Sequence, residues 1–128
     1  KALDSGSGEV FFVRDGLVTE ASHSNVFLVR DDVIYTYPES NYILSGITRK
    51  NIIAIASENN ISLKEEAITA DMLPYIHEAF VANTSGEIVP VVKAGDIVIG
   101  EGVPGPVTKR LQNLFRERVE NMRIVMMQ

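Results

Sequence analysis

Four short segments of the chain carry the side chains whose types and spacing could do chemistry. The first, residues 19–25, reads Thr-Glu-Ala-Ser-His-Ser-Asn, and six of its seven side chains can donate or accept a hydrogen bond. Glu20 is its only carboxylate. His23 could act as an acid or base, but no carboxylate or nucleophile is visibly paired with it, which favours a structural role. A polar turn between two strands accounts for the same composition, so both interpretations stay open.

The second segment, residues 43–49, places a glycine and two hydroxyl side chains at the start of a predicted helix. Free N–H groups and the helix dipole attract an anion at such a position, and Gly46 would let a phosphate approach the backbone. Simple capping of the helix by Ser45 explains the same residues. The segment is not a P-loop, because no Gly-Lys-Ser/Thr sequence follows.

The third segment, residues 82–87, follows a predicted buried strand and is rich in hydroxyl groups. Ligands of α/β folds bind at such strand ends, although turns use the same residue types. The fourth segment, residues 100–106, is rich in Gly and Pro and indicates a rigid turn into the last helix. Together, the lone carboxylate, the helix N-terminus and the hydroxyl groups would suit a phosphorylated cofactor with a basic ring nitrogen. They do not name it.

The elements that position these segments are read from periodicity and turn signals. Apolar runs rich in β-branched residues predict strands at residues 9–14, 17–19, 25–30, 33–37, 61–67, 78–82, 87–92 and 97–99. Helical spacing predicts helices at residues 46–60 and 107–122, and a short one at 69–73 that Pro74 should end. Strands mixed with two long helices indicate an α/β or α+β domain.

Each long helix should bury one apolar stripe. The first stripe consists of Ile47, Ile52, Ile55 and Ala56, and the second of Val107, Leu111, Leu114, Phe115, Val119 and Met122. Ser45 suits the N-cap of the first helix. We expect a single domain over residues 1–128, since neither a linker nor a repeat interrupts the chain.

Composition excludes several classes of function. The chain has 12 basic and 17 acidic residues, and this net charge of −5 does not suit a general nucleic-acid binder. The absence of cysteine excludes a thiolate metal site, and two histidines make a zinc site a poor hypothesis, so no metal is expected. No apolar run is long enough for a membrane span, and the first residues do not read as a signal peptide, which leaves a cytoplasmic location as the expectation.

The order of the motifs resembles a known family. Residues 18–27, 43–49, 78–91 and 102–108 together are similar to the C-terminal domain of the class IV, or fold-type IV, pyridoxal-phosphate aminotransferases. The resemblance covers about residues 9–115 and is closest to the D-amino-acid aminotransferases. It implies a mixed, pseudo-barrel sheet with flanking helices, a pyridoxal 5′-phosphate cofactor, amino-acid and 2-oxo-acid substrates, and a homodimer.

The resemblance implies cofactor-binding roles for Glu20, Ser24, Asn25, Leu44, Gly46, Ile47, Thr48, Thr84 and Ser85. Glu20 would hold the protonated pyridine nitrogen, so that the ring accepts electrons from the substrate carbanion. Ser24 and Asn25 would border the ring, and Leu44 would pack on its face. Residues 46–48 would form the phosphate cup, with further contacts from residues 84–85.

Two positions depart from the family pattern, and one residue is missing. Ala21 stands where many members have Gly, and Asn83 stands where Ser, Thr or Gly is usual, which puts a direct role of Asn83 in doubt. By the same comparison, the lysine that forms a Schiff base with the cofactor lies ahead of this chain, while Lys1 falls within a helix that precedes the Val-Thr-Glu motif. The chain therefore resembles the cofactor-binding C-terminal part of an enzyme whose N-terminal domain is absent, and we expect it to be inactive alone.

Three alternatives stay open. A branched-chain aminotransferase or an aminodeoxychorismate lyase would share the fold. A stand-alone module that keeps the fold without cofactor chemistry would belong to another class of function.

Overall fold

Most of the described chain forms one mixed sheet flanked by two helices. The computed structural model describes residues 2–4, 10–21, 24–38, 46–83 and 87–127. The strands are β1 (Ala2–Asp4), β2 (Val10–Arg14), β3 (Leu17–Ala21), β4 (Ser24–Arg30), β5 (Val33–Thr36), β6 (Leu63–Lys64), β7 (Ile68–Thr69), β8 (Glu78–Asn83), β9 (Ile88–Val91), β10 (Lys93–Ala94) and β11 (Ile97–Val98). The α-helices are α1 (Ile47–Glu58) and α2 (Pro106–Met126), and a 3₁₀ helix spans Ala70–Tyr75. The predicted α/β class is confirmed.

Tight turns connect the first strands of the sheet. Asp15 and Gly16 join β2 to β3 with φ angles of 52° and 78°, and Asp31 and Asp32 join β4 to β5 with φ angles of 52° and 63°. Two successive residues with positive φ match the right-handed twist of the flanking strands, which is why Asp and Gly serve there. The strands predicted on either side of each turn therefore pair as antiparallel hairpins.

Strands β4 and β8 lie in the middle of the sheet and are buried on both faces. They pair with each other in antiparallel register from Ser24 opposite Asn83 to Val29 opposite Glu78. Successive side chains alternate between two apolar clusters, so that Val26 and Leu28 belong to one cluster and Phe27 and Val29 to the other. The rings of Phe27 and Phe80 stack with their centroids 5.0 Å apart. Burial on both faces explains why these strands appear in the sequence as continuous apolar runs.

Helix α1 connects two parallel strands. β6 pairs in parallel with β5, with Ile34 opposite Leu63, and parallel neighbours require a crossover connection. Ile52, Ile55 and Ala56 of α1 are buried as predicted. Ile47 is 80% exposed, so its predicted place on the buried stripe is wrong. As the first residue after the N-cap it lies ahead of the turns that pack on the sheet.

Helix α2 is longer than predicted, and its apolar stripe is buried only over the first half. Leu111 and Phe115 are buried against the sheet, whereas Val119 and Met122 are 43% and 54% exposed, which corrects the prediction for those two residues. The helix continues beyond the strands against which its first half packs. No helix in the described part of the chain is long and apolar enough to cross a membrane.

Three smaller predictions are also corrected. Residues 61–67 form no single strand, because β6 pairs with β5 while the following β7 pairs with β3. Pro74 lies inside the 3₁₀ helix rather than ending it, since the φ angle of proline fits 3₁₀ geometry. The resemblance placed Lys1 in a helix; Lys1 lies outside the described residues, but Ala2–Asp4 form a strand paired with β2.

Candidate functional site

One edge of the sheet collects polar residues that are distant in sequence. Glu20, near the end of β3, lies opposite Asn25, near the start of β4. On the other side of β4, Ser24 lies opposite Asn83, the last residue of β8. The first and third polar segments therefore meet because β4 pairs with both β3 and β8.

The N-terminus of α1 reaches the same edge. The Oδ1 atom of Asn25 lies 3.5 Å from the position that a Cβ atom would occupy on Gly46. Asn25 is only 8% exposed, and the side chain of Glu20 is half-buried. Asn25 thus connects the carboxylate of β3 with the start of α1, and the second polar segment joins the other two.

The first turn of α1 begins at a glycine. Gly46 is the N-cap residue, with φ −101° and ψ 154°, and its carbonyl accepts the first helical hydrogen bond, from the N–H of Lys50 at 3.1 Å. Gly46 has no side chain with which to cap the helix, and the first turn contains no acidic residue. The N-cap prediction for Ser45 is therefore wrong, because the cap residue is Gly46; Ser45 itself lies outside the described residues. N–H groups in the first turn of a helix can bind an anion.

Asn83, in the third polar segment, bonds to Glu87 through both its backbone and its side chain. Its N–H donates to the carbonyl of Glu87 at 3.1 Å, and its Oδ1 accepts from the N–H of Glu87 at 3.0 Å. This pair of bonds links the two described residues on either side of residues 84–86. The departure from the family pattern at Asn83 thus has a structural explanation, since its amide side chain bonds to Glu87.

The structure brings together part of the predicted site. Glu20, Asn25 and Gly46 are adjacent, and Ile47 and the buried Thr48 follow in the first turn of α1. Ser24 is at the same edge, but strand alternation places it on the opposite face of β4 from Asn25. Leu44, Thr84, Ser85 and His23 lie outside the described residues.

Sequence reasoning missed two buried charged residues. Glu78 begins β8 and is 7% exposed, and its carboxylate caps α2 by accepting from the N–H groups of Val107 and Thr108 at 3.1 and 2.8 Å and from the hydroxyl of Thr108 at 2.9 Å. The available signal was an acid at the start of a buried apolar run.

Arg49 is the second of these residues. It is 1% exposed and lies in the first turn of α1. Its signal was a cation at a helix N-terminus, where the dipole disfavours positive charge.

Comparison with known proteins identifies the family. The family model described as Amino-transferase class IV matches residues 1–94, so the chain belongs to the class IV aminotransferases. It is 39% identical over 119 residues to the D-alanine aminotransferase of Bacillus licheniformis, which covers 93% of this chain and 42% of that protein. It is 45% identical over 108 residues to the D-alanine aminotransferase of Staphylococcus aureus strain N315, covering 84% of this chain and 38% of that protein.

A solved structure gives the same result. The chain matches the T.th. branched-chain amino acid aminotransferase in complex with N-(5′-phosphopyridoxyl)-L-glutamate, with a TM-score of 0.80 and 36% identity, over 88% of this chain and 38% of that one. The predicted family and architecture are confirmed. The chain spans less than half the length of the curated relatives it matches.

Proposed function

We propose that this chain is the cofactor-binding part of a pyridoxal-phosphate-dependent aminotransferase that transfers amino groups between D-amino acids, such as D-alanine, and 2-oxo acids. The observation that carries the proposal is the arrangement at the sheet edge. There, the carboxylate-bearing Glu20 pairs with Asn25, and Asn25 lies against the N-cap of α1. The names of the D-alanine aminotransferases that the chain resembles support the substrate class.

The chemistry of the site residues fits pyridoxal phosphate. A dianionic phosphate suits the first turn of α1, which has a glycine N-cap and no acidic residue, and where N–H groups and the helix dipole favour negative charge. Because Gly46 has no side chain, nothing from this residue fills the space between the turn and Asn25. A basic ring nitrogen suits the half-buried Glu20. Two complementary charges at one sheet edge match the two ends of the cofactor.

Each residue then has a defined role. When bound, the cofactor ring supplies an acceptor for the electrons left on the substrate after its Cα proton departs. Glu20 keeps the ring nitrogen protonated, which makes that acceptor effective. Residues 46–48 hold the phosphate, Asn25 and Ser24 border the ring, and Leu44, Thr84 and Ser85 complete the contacts.

The remaining parts of the enzyme would come from outside these 128 residues. We assign no catalytic role within the chain: the reactive lysine and part of the substrate pocket would belong to an N-terminal domain. Residues 1–128 would then be one C-terminal domain of a cytoplasmic homodimer. This division agrees with the share of the relatives that the chain covers.

A branched-chain aminotransferase is the second candidate. The likeness to the solved T.th. structure favours it, since that protein is a branched-chain enzyme at 36% identity. The D-amino-acid proposal is preferred because the relatives named D-alanine aminotransferase reach 45% identity. Turnover of D-alanine and of L-leucine, each with 2-oxoglutarate, separates the two candidates in the full-length protein.

The first prediction concerns Glu20. In the full-length protein, Glu20→Gln should reduce the rate of Cα deprotonation by about a hundredfold or more, because a neutral amide no longer stabilises the protonated ring nitrogen. Binding of the cofactor should weaken much less. Single-turnover kinetics with D-alanine measure the first effect, and titration with pyridoxal phosphate measures the second.

Glu66→Gln is the matched control, because Glu66 is an exposed carboxylate in the connection between β6 and β7. Its turnover should equal that of the unmodified protein. Unchanged deprotonation in Glu20→Gln would remove Glu20 from the proposed role.

A further inference from the structure

The guanidinium of Arg49 is the most unusual charged group near the site. Its side chain is among the largest that are fully buried, although it belongs to the first turn of α1. Burying a cation costs desolvation energy, and the positive end of the helix dipole adds to that cost. A residue that stabilised only the core would be better replaced by an apolar side chain of the same length. The position therefore calls for a role that needs a guanidinium.

Three acceptors on different parts of the chain hold this guanidinium. Nη1 donates to the hydroxyl of Thr36 at 2.9 Å, and Nη2 donates to the carbonyl of Tyr37 at 3.0 Å and to the carboxylate of Glu65 at 2.9 Å. Glu65 is the counter-ion of Arg49, but water screens this ion pair in part because the side chain of Glu65 is 48% exposed. The planar fork of arginine suits several fixed acceptors at once, which an ammonium cannot match.

A further hydrogen bond links these contacts of Arg49 to β4, the strand that carries Asn25. The hydroxyl of Thr36 donates to the carbonyl of Val26 at 2.8 Å, and Val26 follows Asn25 in β4. Asn25 itself lies beside the N-cap of α1, with its Oδ1 atom 3.5 Å from the position that a Cβ atom would occupy on Gly46. The third helical residue is therefore tied to β4 through Arg49 and Thr36, close to Asn25 at the cap.

We propose that Arg49 is a positioning residue of the phosphate site. Its hydrogen bonds hold the first turn of α1 in the place and direction in which the N–H groups of residues 46–48 receive a phosphate, while the guanidinium itself binds Thr36, Tyr37 and Glu65. This inference rests on the proposed function. It predicts that substitution of Arg49 weakens the binding of the phosphate group and leaves the binding of the ring unchanged.

The test compares two ligands that differ only in the phosphate. Dissociation constants for pyridoxal phosphate and for pyridoxal are measured with the full-length protein, and their ratio reports on the phosphate site alone. Arg49→Gln should reduce this preference for the phosphorylated ligand about tenfold. Arg49→Lys should recover part of it, because one ammonium keeps the charge but cannot span three acceptors. Thr36→Val should reduce it about threefold, since one of the anchors is lost.

The control removes the same charge from the other helix. Arg110 is exposed in the first turns of α2, and Arg110→Gln should leave the preference unchanged. A general loss of stability weakens the binding of both ligands alike, so it cancels in the ratio of their dissociation constants. Should Arg49→Gln fail to fold, Arg49→Lys and Thr36→Val carry the test.

Two results would overturn the inference in distinguishable ways. If the unmodified protein prefers pyridoxal phosphate and every Arg49 and Thr36 variant that folds keeps that preference, Arg49 only packs the core. If the unmodified protein shows no preference for the phosphorylated ligand, the proposed function itself fails.

Discussion

The two α-helices begin in the same way but differ in what faces their first turns. Each has a glycine N-cap in an extended conformation, Gly46 at φ −101° and Gly105 at φ −91°. Each glycine carbonyl accepts the first helical hydrogen bond at 3.1 Å. At α2, the carboxylate of Glu78 takes the N–H groups of the first turn. At α1, the N-cap glycine has no side chain that could do so, and the first turn contains no acidic residue.

The difference distinguishes a helix N-terminus that stabilises the fold from one that we propose binds a ligand. The positive end of a helix dipole with free N–H groups favours an anion. At α2 the chain supplies that anion itself from β8, and the result is a fixed contact between sheet and helix. At α1 we propose that the same capacity serves a ligand, while the hydrogen bond of Arg49 to Thr36 holds the turn and Asn25 lies beside its N-cap.

Removing the internal anion should have the largest effect on stability. Glu78→Ala leaves a partly buried and a buried N–H group and one buried hydroxyl at the start of α2 without their acceptor. We expect a loss of about 3 kcal/mol in the free energy of unfolding, measured by urea denaturation. Glu58→Gln is the control, because the ion pair of Glu58 with Arg118 is more exposed and should contribute at most about 1 kcal/mol. Equal losses in the two variants would contradict the capping role of Glu78.

The same substitution at the two N-cap glycines should give opposite results. At Gly105 a Cβ atom would overlap Cγ and Cδ of Glu78, so Gly105→Ala should destabilise the protein by about 2 kcal/mol. At Gly46 the Cβ would make an ordinary contact with Asn25, so Gly46→Ala should cost about 1 kcal/mol or less. Yet Gly46→Ala should lower the preference for pyridoxal phosphate over pyridoxal about tenfold, because the new methyl group stands in front of the anion site.

Thermal unfolding and ligand titration of both alanine variants check this pair. Gly105→Ala should keep its preference for the phosphorylated ligand. Loss of that preference in Gly105→Ala, or its retention in Gly46→Ala, would show that the two helix ends do not differ in the way described.

Local patterns were sufficient to predict most elements of the fold. Asp-Gly and Asp-Asp turns between β-branched runs predicted the first hairpins, and the apolar runs of β4 and β8 predicted buried strands. The end of α2 was mispredicted because helical spacing of Val119 and Met122 does not reveal where the sheet beneath the helix stops. Ile47 was mispredicted because the periodicity does not distinguish the first helical position from the turns that pack on the sheet.

The site was predictable only where its chemistry lies within one segment. The proposal that the start of α1 binds an anion follows from residues 46–48 alone, and the role proposed for Glu20 came from the family resemblance. The roles of Glu78 and Arg49 depend on partners about 30 and 16 residues away, and a single sequence does not specify such pairs.

A crystal structure of the full-length protein with bound pyridoxal phosphate tests the central claim most directly. The account predicts the phosphate on the N–H groups of the first turn of α1, and the pyridine nitrogen within hydrogen-bond distance of the Glu20 carboxylate. A phosphate bound elsewhere, or a ring nitrogen facing a residue other than Glu20, would contradict it.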